Sequence, residues 1–321
     1  VLSVSNGDYI IQGDAGNDTI TNGVGADIVI AGEGDDIVTD VGGGNLIYGG
    51  AGSDTITLAG SGSIIWGGSG NDIINAAGGA NRIYSGDGND TITDSTGSDT
   101  IDGGAGDDVI TDQGAGTNAL RGGDGNDTIT FSANAHNTVE GGAGNDLIKI
   151  DYVTYSEQLF VNTFAGGTGN DRIEAGGGTD TYLFNRSDGQ DTIKDSAYGY
   201  YAPAGLDTLV FGAGIVASDL VLSRSGNNLI VKVTDPANPA ATDQIVIESW
   251  FSSDVYQIET FAFADGSSLT KTQLNQMGNV LYGTDGVDTL TGWSDGGTIL
   301  GLAGNDTITD STGSDTIDGG A

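Results

Sequence analysis

Aspartate recurs in this chain at a spacing that no helix or isolated strand explains. Asp18, Asp36, Asp54, Asp72, Asp90 and Asp108 stand 18 residues apart, and Asp127, Asp146 and Asp171 continue the series at intervals of 19, 19 and 25. Each is sixth in a nonapeptide of the form Gly-Gly-x-Gly-x-Asp-x-(Ile/Val)-x, as in GGAGSDTIT (49–57), GGSGNDIIN (67–75) and GGAGDDVIT (103–111). Carboxylates stacked at one slot of a repeated turn repel one another unless a cation sits between them. The chemistry this pattern can do is therefore metal binding through oxygen. A hard cation such as calcium takes about six to eight oxygen ligands, and the turn offers an Asp carboxylate beside glycine-flanked carbonyls. One turn cannot complete that shell, so each ion must bridge two turns one coil apart.

A looser nonapeptide lies between each pair of these turns. Its equivalent slot holds Asp27 and Asp99, with Asn45, Ser63 and Asn81 between them. Asp180, Asp191, Asp288, Asp306 and Asp315 complete the set of candidate metal ligands. The pattern predicts a continuous row of metal sites along one edge and a patchy row along the other.

The elements that position these carboxylates follow from the same nine-residue unit. Six residues make a turn and three a short strand, and the eighth position is aliphatic from Ile20, Val29 and Val38 through Ile92, Ile101 and Ile110. Strand alternation points that position inward and its neighbours outward. Two nonapeptides then form one coil, and coils stack about 4.8 Å apart around a thin apolar line. The predicted fold is all-β: parallel β-roll arrays at 1–194 and 279–321, separated by a small antiparallel capping domain at 195–278. In the middle section LDTLVF (206–211), DLVLS (219–223), NLIVKV (228–233), QIVIESW (244–250) and IETFAFA (258–264) read as antiparallel strands with a hydrophobic core of their own. A short helix is predicted over 271–277 with Thr270 as its cap. The insertion at 150–165 reads as either a longer strand pair or a protruding loop. NDTITDSTGSDTIDGGA occurs at 89–105 and again at 305–321, which points to duplication within a repetitive gene.

Composition narrows the function classes. The 321 residues carry 45 acidic against 9 basic side chains, a net charge of -36, with 58 Gly and no Cys. Such a surface shares its sign with phosphate, so nucleic acid is excluded as a partner. No disulfide or thiolate chemistry is available, and no stretch approaches the roughly 20 apolar residues of a membrane span. The chain begins without Met and stops inside a repeat, so it reads as a segment of something longer. The string Gly292-Trp293-Ser294-Asp295-Gly296 imitates a nucleophile elbow, but the one histidine, His136, precedes it, whereas that hydrolase order places His after Ser. No enzymatic activity is expected of this segment.

One face carries a second signal. Ile28, Leu46 and Ile64 at position seven, and Ile30, Tyr48, Trp66 and Tyr84 at position nine, must align on stacked coils into an apolar stripe. Contiguous exposed patches mark contact surfaces. The stripe is predicted to pack against copies of the chain or neighbouring domains, with carbohydrate as the other candidate partner.

The runs GGDGNDTIT (122–130), GGAGNDLIK (141–149) and GGTGNDRIE (166–174) resemble the RTX, or haemolysin-type calcium-binding, repeat family across both arrays. The segment from DGQDTIKD through YQIETFAFADGSSLT resembles the haemolysin-type calcium-binding related domain that flanks such arrays. The resemblance implies several Ca2+ ions, export through a type I system, and a secreted, extracellular or cell-surface location. It also implies folding when calcium is met, with the flanking domain capping or nucleating the roll. The function expected is a calcium-dependent structural or adhesive module of a large bacterial protein, self-assembling as a surface layer, matrix or filament. Two alternatives are the non-catalytic tail of a secreted lipase, protease or epimerase, and a carbohydrate-binding module.

Overall fold

A computed structural model describes residues 1–132, 136–152, 160–196, 205–310 and 312–321. The chain winds as predicted into a parallel β-solenoid. Strands from alternate nonapeptides build two facing sheets, one running from Leu2–Ser3 through Thr19–Asn22 and Ile37–Asp40 onward, the other from Ile10–Gln12 through Ile28–Glu33 and Leu46–Ala51 onward. Pairing is in register from coil to coil: Ile56 faces Ile74, which faces Ile92, and Ile47 faces Ile65, which faces Ile83. The coils of 19 and 25 residues return to this register, with Ile110 facing Ile129 and Val139 facing Phe164, apart from a shift after Phe131, where Ser132 pairs with Tyr152.

Between the sheets lies the aliphatic line. Ile20, Val29, Val38, Ile47, Ile56, Ile65, Ile74, Ile83 and Ile92 are all fully buried. Such a core leaves only backbone between neighbouring coils in the turns, so glycine is required where they approach. Gly68 shows both demands: its φ is +125°, and a Cβ there would run into the Gly50 carbonyl oxygen. The turns are joined by backbone bonds such as Gly52 N–H to Ser69 O, 2.8 Å, and Gly70 N–H to Asp87 O, 2.7 Å. Toward the far end of the first array the core becomes aromatic, with Phe131, Phe164, Tyr182, Phe184 and Phe211 buried in succession.

Residues 205–270 extend the same two sheets. Gln244–Ile247 pairs in parallel with Gln190–Lys194, and Thr208–Phe211 and Thr260–Phe263 continue the other sheet in parallel. The expected antiparallel pairing holds for Leu220–Ser225 with Asn228–Val233, for the latter with Gln244–Ile247, and for Thr260–Phe263 with Ser268–Thr270. The section is thus mixed rather than purely antiparallel, and its Trp250, Phe261 and Phe263 join the core of the roll. Arg172 ties the two together, its Nη1 and Nη2 each 3.1 Å from a Glu248 carboxylate oxygen. The helix forms over Lys271–Gly278, with the Thr270 N–H bonded to Gln273 Oε1 at 2.9 Å in a capping box.

The second array pairs Val280–Tyr282, Gly297–Leu300 and Asp315–Asp318 in one parallel sheet and Thr289–Thr291 with Thr307–Thr309 in another. Arg224 links it to the preceding section. Its guanidinium lies 4.2 Å from the Phe251 ring centroid and 4.7 Å from that of Trp293, and bonds Asp295 and Asn279. Trp293, in the string that imitates an elbow, is thus a packing surface. Of the insertion at 150–165, residues 150–152 end the strand Leu147–Tyr152 and 161–165 begin the strand Val161–Thr168; 153–159 lie outside the described residues.

Candidate metal sites

Stacking coils 18 residues long brings the sixth positions into columns. In the first column each Asp accepts, through Oδ1, the backbone N–H of the Asp one coil earlier: Asp36 from Asp18 at 2.7 Å, Asp54 from Asp36 at 2.8 Å, and so on through Asp72, Asp90, Asp108, Asp127, Asp146 and Asp171 to Asp191 at 3.0 Å. The column ends where Ile245 takes the next register position.

The other carboxylate oxygen is left over. Oδ2 of Asp36, Asp54, Asp72, Asp90, Asp108, Asp127, Asp146 and Asp171 is buried without any hydrogen-bond partner. A buried unpaired anionic oxygen is costly, and eight in one line call for a cation. The opposing ligand is also in place. A Cβ added at Gly49 would fall within 3.0 Å of both Asp54 Oδ2 and the Gly67 carbonyl oxygen. The same convergence of carboxylate and next-coil carbonyl recurs at Gly67, Gly103, Gly122 and Gly141. The glycine keeps open a cradle lined by oxygen from two consecutive coils, as the bridging requirement demands. Among the described residues no three His, Asp or Glu side chains are grouped to hold a metal alone, so backbone carbonyls must share the work. The residues fit calcium.

The electrostatics agree. Burial pushes Asp72, Asp108 and Asp146 up to about 7, and adjacent carboxylates of the column push the same way. Burial likewise raises Asp54 and Asp171 to about 6 and Asp191 to about 8.

Two cradles are filled by the chain itself. Ala31 stands in the column of Gly49, and Ser85 stands in that of Gly67 and Gly103. The Ser85 hydroxyl donates to the Gly103 carbonyl at 2.6 Å, using an oxygen that would otherwise face the site.

The second column has the same backbone geometry with mostly neutral side chains. Asp27 N–H donates to Asn45 Oδ1, Asn45 N–H to Ser63 Oγ, Ser63 N–H to Asn81 Oδ1 and Asn81 N–H to Asp99 Oδ1, at 2.5–3.1 Å. Asp180 closes on Asp207 in the same way at 2.7 Å. The sequence reading did not register the residues that fill the cradle position here: Asn22, Asp40, Leu58, Ala76, Asp94, Asp112 and Phe131. Asn22 Nδ2 satisfies Asp27 Oδ2 and Asp40 Oδ2 at 2.8 and 2.9 Å, and Asn118 Nδ2 satisfies Asp112. Asp94 lies against Asp99, and burial followed by that neighbour pushes it to about 8. An eye on position one of each looser nonapeptide would have separated the two edges further.

In the second array Asp288 N–H donates to Asp306 Oδ1 at 3.0 Å, and Asp306 Oδ2 is unpartnered. Asp288 differs, since its Oδ2 accepts from Thr284 N–H at 2.6 Å. Asp315 falls in the other column, in register with Gly297.

The stripe forms on the outer face of the second sheet. Tyr48 and Trp66 stack with centroids 4.6 Å apart and planes 3° from parallel, and Trp66 and Tyr84 at 6.0 Å and 16°. Ile30 and Tyr48 are exposed, and Ile28, Leu46, Ile64, Trp66 and Tyr84 half-buried.

Comparison with known proteins bears on both arrays. Residues 4–38, 30–60, 58–92, 84–111, 112–130, 131–149, 160–193, 275–295 and 294–321 match the RTX calcium-binding nonapeptide repeat. Residues 219–273 match the haemolysin-type calcium binding protein related domain. Over 125 residues, 38% of this chain, the sequence is 35% identical to the iron-regulated protein FrpA of Neisseria meningitidis serogroup C. The chain spans 10% of that relative's length. Among the described residues no helix is long and apolar enough to cross a membrane.

Proposed function

Because the chain belongs to the RTX calcium-binding repeat family, whose pattern recurs over most of its length, we propose that it is a calcium-dependent, extracellular structural or adhesive module of a larger secreted protein. The observation that carries this reading is the line of buried, unpartnered Oδ2 atoms facing next-coil carbonyls. Calcium, when bound, supplies the positive charge and accepts the oxygens that the fold leaves unpaired. The chain's own part is to hold those oxygens in two rows: Oδ1 is fixed by the preceding coil's N–H, and glycine leaves the cradle clear. Metal binding and folding are then one event, and the result is a stiff rod. Circular dichroism with and without chelator tests this, and a β signal that EDTA leaves unchanged would sink it.

The aromatic stripe supports self-association over sugar binding. Rings stacked face to face cover one another's faces and turn their edges outward, whereas a sugar ring packs on an open face. Trp66→Asp is expected to weaken self-association in sedimentation while calcium-induced folding persists. Equal association by the variant counts against the stripe.

A further inference from the structure

Asn22, which fills its cradle with an amide, is followed by glycine. At the other filled slots Asp40 is followed by Val41, Asp94 by Ser95 and Asp112 by Gln113, and the column amides Asn45 and Asn81 by Leu46 and Arg82. The fold demands both members of this pair. Asn22 is 1% exposed, and its Nδ2 donates to Asp27 Oδ2 and Asp40 Oδ2 at 2.8 and 2.9 Å. A Cβ at Gly23 would fall 2.5 Å from the Ser5 carbonyl oxygen of the preceding coil.

The same pair is chemically labile. A glycine after Asn brings no side chain to block its own backbone nitrogen and has the widest conformational freedom, so that nitrogen can reach the side-chain amide. The Gly23 nitrogen gives its proton to solvent and bonds to Asn22 Cγ, the Cγ–Nδ2 bond breaks, and Nδ2 takes up a proton and leaves as ammonia. The succinimide so formed adds one water. Opening between Cγ and nitrogen yields aspartate in ordinary linkage, and opening at the main-chain carbonyl yields isoaspartate, with the chain running on through Cγ. In the roll this route is closed at three points. The Gly23 N–H is bonded to Asn22 Oδ1 at 3.0 Å, Nδ2 is held by two carboxylates, and the Ser5 backbone leaves Gly23 no room to turn. None of these restraints exists in the unfolded chain.

We propose that Asn22-Gly23 is a site of spontaneous modification gated by folding, a timer on how long the chain can stay unfolded and still form its first coils. The proposal rests on the calcium-coupled folding argued above. Aspartate at position 22 sets a third carboxylate against Asp27 and Asp40, where an amide now donates to both. Isoaspartate adds a backbone carbon at the end of Thr19–Asn22, where Asn22 pairs with Asp40. The chain's other Asn-Gly pair, Asn6-Gly7, has its Asn exposed in the fold and serves as an internal reference.

The test holds the full chain at mildly alkaline pH in calcium, in EDTA, and in EDTA with urea, and follows amide-to-acid conversion at each Asn by peptide mass spectrometry. Asn22 should convert about tenfold or more slowly in calcium than in urea, and in urea it should keep pace with Asn6. Conversion of Asn22 in calcium at its urea rate, or its persistence in urea after Asn6 has converted, overturns the proposal. The EDTA arm separates the two readings: slow conversion there beside fast conversion in urea sinks calcium-coupled folding and leaves the gate standing. The consequence is read with Asn22→Asp, which at limiting calcium should exchange amide hydrogens over 2–22 about tenfold faster than the unaltered chain. Equal exchange overturns the timer.

Discussion

Gly67→Ala isolates the cradle from everything else in the turn. The backbone at Gly67 lies outside the left-handed region, so the methyl brings no conformational strain. It would instead fall between Asp72 Oδ2 and the Ser85 carbonyl oxygen, where the ion must sit. A ligand bound only by the folded state contributes RT ln(1 + [L]/Kd), so a site with Kd of about 10⁻⁴ M in about 10 mM calcium is worth about 2.7 kcal/mol. The variant should lose about that much stability, bind one ion fewer, and show a shallower rise of stability with the logarithm of calcium concentration. Gly68→Ala is the control. The same methyl one residue on sits at φ +125° against the Gly50 carbonyl oxygen, so it should cost stability by an amount independent of calcium and leave that slope unaltered. The assay is denaturant unfolding across a calcium series, with ion counting alongside. Should Gly67→Ala keep the ion number and the slope of the parent, the cradle is not where metal binds.

Other outcomes follow from the same geometry. Ser85→Gly should open a cradle now filled by a hydroxyl bonded to Gly103 O and add one bound ion, which native mass spectrometry would detect. Protons should partly replace the metal. Asp72, Asp108 and Asp146 titrate near 7 in the fold against about 3.9 in an unfolded chain, so the folded form holds protons more tightly. That stabilisation is complete below about pH 4 and is lost as the pH rises through about 7. In chelator, the β signal should therefore grow on acidification from about pH 8 to about pH 5, and calcium affinity should fall over the same interval. Arg224→Ala removes a guanidinium held between Phe251 and Trp293. It should loosen the second array by about 2 kcal/mol or more, read as faster hydrogen exchange over 280–318.

The parts of this fold that the sequence made legible are those set by a fixed period. Asp at position six and Ile or Val at position eight each select one register, and the columns from Asp18 to Asp191 and from Ile20 to Ile110 follow directly. Strand direction at 205–270 was not legible. Alternation in LDTLVF or QIVIES has period two whichever way the neighbouring strand runs, so nothing local reveals that Thr208–Phe211 joins the roll in parallel. The filled cradles of the second edge were visible as letters, but their meaning needed the stacking that sets Asn22 over Asp40. The step of the second column from Asp180 to Asp207 spans 27 residues, a spacing that no fixed period announces.

The tolerance of coils to 19 and 25 residues, with the inward positions Ile129 and Phe164 still in register with the coils before them, makes the molecule a ruler whose graduations are fixed and whose extent is free. Unequal exchange between copies such as 89–105 and 305–321 would add or delete whole steps, each about 4.8 Å tall, without disturbing the ones beside them. A slip of one residue inside a strand is a different matter, for it would turn the aliphatic face to water. Length can thus change by whole steps, while the strand register keeps the cross-section the same.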